Sequence, residues 1–297
     1  MSLTPMQAPS DGFGRRAFST LAGWWADVRS GPFFRGARIS LVTIYALFLR
    51  DAITRHGRRS AGYVWVLIEP LLQLTVMMAV FSFFGRAPAV GDSMVVFFLT
   101  GILPVILLRS AIVRGANAIS SNRGLMAYPQ VSGFELVTAR MLLDIVTYAI
   151  VFALVALTMF AFTGLPLTAW VSEPLKLLGA LSALVILCYG AGFLSAQIGR
   201  VFAQWSDLMS GMGRLLFFTS GVWYTLGTLP PRLREAVSYN PLAQVIEWIR
   251  DGVIEGFDSR HIDFAYPIAF GAVCLFIGLF VEWLLRLGQF DLPGNSA

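Results

Sequence analysis

Charged side chains inside apolar runs are the groups in this 297-residue chain whose chemistry most needs a reason. Glu69 and Arg109 each fall within a stretch of bilayer-spanning character, where charge is costly and marks an ion pair or a substrate path. Glu69 lies about seven residues from the inner end of its run and Arg109 about five from the inner end of the next, so at roughly 1.5 Å per residue the two share a depth. The spacing predicts that they pair, within one protomer or across a dimer. Two roles stand open: an ion pair that fixes helix register, and direct contact with an anionic substrate.

Enzymatic constellations are missing. The chain has no Walker motif, and Gly190-Ala191-Gly192 lies in an apolar run instead of following a strand. Asp92, Asp251, Glu255, Asp258 and Asp263 fall in segments read as outer, without forming a recognisable catalytic pair. His56 and His261 are the only histidines, and no Cys/His spacing suits a metal. Cys188 and Cys274 sit in apolar runs, where a structural disulfide is not expected. The expectation is a non-catalytic chain that binds neither metal nor cofactor.

Aromatic side chains gather in two places, Tyr63, Trp65, Phe81, Phe83 and Phe84 in one run and Phe217, Phe218, Trp223 and Tyr224 in another. Rings at helix ends commonly form interfacial belts. They also stack on the C–H faces of sugars, so a passage lined by them suits a polysaccharide.

The elements that position these residues are six apolar stretches at about 63–84, 95–113, 141–163, 176–198, 208–227 and 264–287, each near the 20 residues that cross a hydrocarbon core of roughly 30 Å. Pro70 and Pro104 bend the first two. The predicted fold is an all-α integral membrane bundle. It comprises a flexible arm at 1–38, one transmembrane domain at 39–290 and a short tail at 291–297. Hydrophobic residues make up 57% of the chain and charged residues 13%, with a net charge of +5. A basic balance can point to nucleic acid, but its placement argues against that. Arg15, Arg16, Arg29, Arg35, Arg38, Arg50, Arg55, Arg58 and Arg59 all precede the first run, which by the positive-inside rule puts the N-terminus in the cytoplasm. Six crossings return the C-terminus to the same side. With no apolar run before about residue 39, no cleavable signal peptide is expected.

Three connectors carry structure of their own. Residues 39–55 place Leu41, Ile44, Tyr45, Phe48, Leu49 and Ala52 at helical spacing, an amphipathic helix lying along the inner membrane surface. The loop after the second run holds the apolar piece 125–128, followed by Ser132-Gly133-Phe134-Glu135, which fits a capping box. That piece is either a loop packed on the bundle or a docking element for a soluble partner. Residues 228–262 begin with Pro230-Pro231, and Asn240-Pro241 then supplies an N-cap and a first-turn proline. The following helix carries Leu242, Val245, Ile246, Ile249 and Val253 opposite Glu247, Arg250 and Asp251. It reads as a helix on or partly within the outer leaflet, or an ordinary surface helix.

Three stretches, IYALFLRDAITRHGRRSAGYVWVLIEPLLQL (44–74), LTGILPVILLRSAIVRGANAISSNRGLMAYPQVSGFELVTAR (99–140) and YNPLAQVIEWIRDGVIEG (239–256), resemble the membrane subunit of bacterial capsular polysaccharide ABC exporters. The resemblance covers about residues 40–290. It implies a homodimeric permease in the inner membrane that works with two copies of a separate ABC ATPase, where ATP and Mg2+ are used. It implies a coupling helix at Gly124, Leu125, Met126, Tyr128 and Pro129, an interface helix at 39–55, and re-entrant outer-leaflet helices between the fifth and sixth spans. The implied substrate is a lipid-linked acidic polysaccharide, handed on to periplasmic and outer-membrane export proteins. Tyr63, Trp65, Phe81, Phe83, Phe84, Phe217, Phe218, Trp223 and Tyr224 are then the channel candidates. Arg86 at the outer mouth, with Arg109 and Arg114 toward the inner side, can attract acidic groups. Export of O-antigen or teichoic acid, or of drugs or haem, and a membrane-embedded polysaccharide synthase are the alternatives. A secondary transporter lacks support, since no internal repeat or intramembrane acid cluster is present.

Overall fold

The computed structural model describes residues 32–56, 61–85, 87–128, 130–163 and 171–287, and among them it contains helices and turns without a strand. In chain order the helices are α1 Pro32–His56, α2 Ala61–Phe83, α3 Met94–Ala116, α4 Gly133–Thr163, α5 Pro174–Val201, α6 Trp205–Thr219, α7 Pro231–Ser238, α8 Pro241–Val253 and α9 Ala265–Arg286. Two 3-10 turns join them among the described residues, Ser120–Ala127 before α4 and Leu226–Thr228 before α7.

Among the described residues four segments are long and apolar enough to cross a bilayer: Met94–Ala116, Gly133–Val155, Pro174–Val201 and Ala265–Leu285. Helix α2 matches α3 in length at 23 residues. The predicted run 208–227 does not form one long helix. Helix α6 has 15 residues, a rise of about 22 Å, short of the roughly 30 Å core. It stops at Thr219, and the chain then turns through Gly221 at φ +78°, a left-handed conformation that side chains with a Cβ rarely adopt.

Lipid tails are as apolar as leucine, so close backbone packing, more than hydrophobic burial, draws such helices together. Helix α5 is the central post, in contact with α3, α4, α8 and α9. Its glycines make the seams. A Cβ on Gly190 would run into the Gly271 backbone of α9, and one on Gly115 of α3 would run into the Gly192 backbone. Helix α3, which contains Pro104, is buried along most of its length.

Helix α1 extends beyond the predicted 39–55, and it is apolar on two sides. Ile44 and Leu47 pack on Leu136 and Ala139 of α4, while Ile39, Leu41, Val42, Tyr45, Leu49 and Ile53 stay exposed. Asp51, a charged residue outside the apolar set of this helix, is buried as well.

Helix α8 departs furthest from its sequence reading. Leu242, Val245, Ile246 and Ile249 are buried as expected and Val253 is half-buried, and Gln244, Glu247, Arg250 and Asp251 are buried too. The helix lies inside the protein against α5, α3 and α9, with its charged side supplied with protein partners in place of water.

Candidate functional site

At the end of the molecule that carries α1, the turn Ser120–Ala127 leads from α3 toward α4. Leu125 and Met126 are half-buried against the α1–α4 cluster, whereas Gly124 is exposed and Tyr128 is 57% exposed. The predicted docking residues therefore divide: Leu125 and Met126 anchor the turn, and Gly124 and Tyr128 face outward. Pro129 lies outside the described residues.

The start of α4 is fastened from both sides. The Ser132 amide donates to Glu135 Oε2 at 2.9 Å, one half of the predicted capping box. The other half differs, since the Ser132 hydroxyl donates to that same carboxylate instead of accepting from an amide. Ser40 of α1 donates to Glu135 Oε1 at 2.8 Å. On the far side, Glu282 of α9 accepts from the Gly133 amide at 3.2 Å and from Gln197 of α5 at 2.9 Å.

A charge network continues this linkage. Arg50 of α1 donates to Asp51 at 2.6 Å and to Asn122 of the turn at 2.8 Å. Arg140 of α4 pairs with Asp51 at 3.6 Å and donates to Ser121 at 2.8 Å. Arg114 of α3 pairs at 2.5 Å with Asp144 of α4, which is fully buried and also accepts from Ser110 at 3.2 Å. The turn, α1, α3 and α4 thus share one set of polar contacts.

At the opposite end the structure brings together Phe81, Phe217, Phe218 and Trp223. Phe218 stacks on Trp223 with centroids 5.6 Å apart, Phe217 meets it edge-on at 5.8 Å, and Phe81 approaches at 6.1 Å. Phe81, Phe84 and Trp223 line a cavity of about 450 Å³ with Val80, Ala87 and Ala89. The Trp223 indole nitrogen is buried and meets no acceptor among the described residues. Phe84 also meets Phe83 at 5.5 Å, and both rings are exposed. The Tyr224 hydroxyl donates to the Phe218 carbonyl at 3.2 Å. The side chains of Tyr63, Trp65 and Glu69, and all of Arg86, lie outside the described residues. The predicted Glu69–Arg109 pair therefore lies outside them too. Arg109 is half-buried and runs along α6, where a Cβ on Gly213 would strike its Cδ and Nε.

The turn that carries Trp223 is held by Arg250. This side chain is wholly buried and donates to the carbonyls of Gly221 at 2.8 Å, Tyr224 at 2.9 Å, Val222 at 3.2 Å and Phe97 at 3.4 Å. Its guanidinium carbon lies 4.0 Å from the centre of the Phe97 ring. Burial lowers its pKa to about 10, against the opposing pull of Glu247, and it remains cationic at neutral pH. Glu247 accepts from the Leu226 amide at 3.2 Å, and burial raises its pKa. Asn240 caps α8 by accepting from Leu242 at 3.0 Å, as its position before Pro241 predicts, and it also donates to Ser220 at 3.1 Å.

Sequence reasoning passed over Asp144, Glu282 and the staple role of Arg250. The first two were accessible to the rule that singled out Glu69 and Arg109, because both are acids within apolar runs. Among the described residues no group of His, Cys, Asp and Glu is placed to hold a metal ion.

Comparison with known proteins gives this geometry its context. The ABC-2 type transporter family matches residues 42–254. The polysialic acid transport protein KpsM of Escherichia coli is 31% identical over 245 residues, covering 82% of this chain and 93% of KpsM. The capsule polysaccharide export inner-membrane protein CtrC of Neisseria meningitidis serogroup A is 27% identical over 258 residues, 86% of this chain and 95% of CtrC. The capsule polysaccharide export inner-membrane protein BexB of Haemophilus influenzae is 24% identical over 239 residues, 80% of this chain and 88% of BexB. A multi-pass helical chain with these matches, and with no nucleotide-binding motif of its own, belongs to the ABC-2 type transporter family.

Proposed function

We propose that this chain is the membrane subunit of an ATP-driven exporter that moves a lipid-linked acidic capsular polysaccharide across the bacterial inner membrane. Two copies pair to form the passage, and two copies of a separate ABC ATPase dock on their cytoplasmic faces. The observation that carries this reading is the match, over most of both chains, to proteins named for capsule polysaccharide export.

In the proposed topology both termini are cytoplasmic and α2, α3, α4, α5, α6 with its following turn, and α9 make six membrane passages. The α1 end is then the inner face, in keeping with the arginines at 50, 55, 58 and 59. The exposed Tyr128 and Gly124 meet the ATPase, while Leu125 and Met126 root the turn in the bundle. Movement imposed on the turn passes through Asn122 and Arg50 to α1 and through Ser121 and Arg140 to α4. At the outer end, the Phe81, Phe218 and Trp223 rings offer apolar faces to sugar C–H groups, and the buried indole N–H is a donor for a sugar hydroxyl or carboxylate. The chain supplies binding, shape and a moving path; the work of ATP hydrolysis belongs to the partner.

Complementation tests this directly. Expressed in a capsule-export mutant that lacks its own permease, the chain is expected to restore surface polymer when its cognate ATPase is co-expressed. Polymer that stays inside cells containing both proteins would count against the reading. Restoration of O-antigen in place of capsule would redirect it to that polymer class.

A further inference from the structure

The inner face of the proposed topology holds a crevice to which the export reading gives no ligand, although several of its groups tie the docking turn to α1 and α4. It has a volume of about 480 Å³ and opens between α1, α3, the turn Ser120–Ala127 and α4. Three guanidiniums line it, those of Arg50, Arg114 and Arg140, with the carboxylate of Asp51 and the hydroxyls of Thr54 and Ser121. Cations outnumber acids on this lining, since Asp144 sits buried behind Arg114. Part of their donor capacity is also unspent. Arg50 uses Nε and Nη2 on Asp51 and Asn122, and Arg114 uses Nη1 on Asp144. Nη1 of Arg50, and Nε and Nη2 of Arg114, donate to no protein group among the described residues. Both side chains remain about one-third exposed, at 34% and 32%.

Depth supplies the second observation. The outward row Leu41, Val42, Tyr45, Leu49 and Ile53 of α1 is exposed in the protein and calls for a bilayer to cover it. Seating that row in the acyl boundary places Arg50 and Thr54, on the same helix, at headgroup level. Forked guanidinium donors match the oxygens of a phosphate, and the Thr54 hydroxyl, which donates to the Asp51 carbonyl at 3.2 Å, lies beside them on the lining.

We propose that this crevice binds the phosphate headgroup of an anionic phospholipid from the inner leaflet. The bound lipid lies against the same groups that tie the docking turn to α1 and α4, so it couples the membrane to that linkage. This site stands apart from the polymer path, and binding to it is measured without transport.

Native mass spectrometry of the full chain in detergent, with phosphatidylglycerol, phosphatidylcholine or inorganic phosphate added, tests the assignment. The comparison uses wild type, Arg50→Gln, and the matched pair Thr54→Glu and Thr54→Gln. Thr54 is exposed, so that pair differs in charge and little else, and a thermal melt of each variant checks folding. One phosphatidylglycerol retained per chain by wild type and Thr54→Gln, with about tenfold weaker retention by Thr54→Glu and Arg50→Gln and none of phosphatidylcholine, supports the proposal. Equal retention of phosphatidylglycerol by wild type and a folded Thr54→Glu overturns it, as does equal retention of the two lipids. Stabilisation by inorganic phosphate with no lipid retained reassigns the crevice to a soluble phosphate and overturns the lipid assignment.

Discussion

Arg250 shows how one buried side chain can define an irregular segment. Four carbonyls converge on its guanidinium, three of them from the turn that no helix could satisfy. Lysine presents a point charge on a flexible stem and cannot span that set. Arg250→Lys is therefore predicted to fail nearly as badly as Arg250→Ala, each costing about 3 kcal/mol or more because hydrogen bonds to charged groups contribute roughly 1.5–3 kcal/mol apiece. Thermal melting in detergent checks this, and a lysine variant with wild-type stability would sink the staple role. Asp144 makes a second case. Asp144→Asn keeps the shape and removes the charge that holds Arg114 at 2.5 Å, and a loss of about 1–3 kcal/mol is expected by the same melt. At this scale the sequence is only partly legible. Asp144 and Glu282 are visible as acids inside apolar runs. The partners of Arg250 are not, because three of them are backbone atoms 26 to 29 residues away, and no side-chain pattern encodes them.

Elements were easier to read than their surroundings. The runs underlying α2, α3, α5 and α9 follow from hydrophobic length, and the N-cap of α8 follows from Asn240-Pro241. Periodicity misled at α8 for a physical reason. An apolar stripe opposite Glu247, Arg250 and Asp251 is the pattern of a helix half in water, and it is equally the pattern of a helix whose charged side is satisfied by other parts of the protein. The α6 run misled differently: hydrophobicity continues past Thr219, but the backbone reverses at Gly221. The glycines of α5 carry a prediction about packing. Gly190→Val puts a branched side chain against the Gly271 backbone and must push α5 from α9. Overpacking typically costs 1–3 kcal/mol, and a backbone clash exceeds that, so full-length chain should fall severalfold in membrane fractions. Gly211, where a Cβ meets nothing within 4 Å, is the control, and an equal loss from Gly211→Val would argue against a packing seam.

Over the whole molecule, two ends of different character are joined by α3, α4 and α5. One end presents an outward tyrosine on a turn wired by charges to α1 and α4; the other gathers aromatic rings beside a turn held by Arg250. In the proposed exporter the first end receives the motion of the ATPase and the second shapes the exit. Docking at Tyr128 is the claim on which the exporter reading turns. The most direct measurement is co-purification of the cognate ATPase with Tyr128→Glu, alongside surface polymer from the same cells. Tyr128 is exposed and Leu125 is packed, so this variant spares the fold where truncation of Leu125 would not. The predicted result is loss of about nine-tenths of the bound ATPase, which corresponds to roughly 1.4 kcal/mol, and a parallel fall in surface polymer at unchanged chain level and melting temperature. Wild-type recovery of the ATPase and wild-type export with glutamate at position 128 would contradict the account.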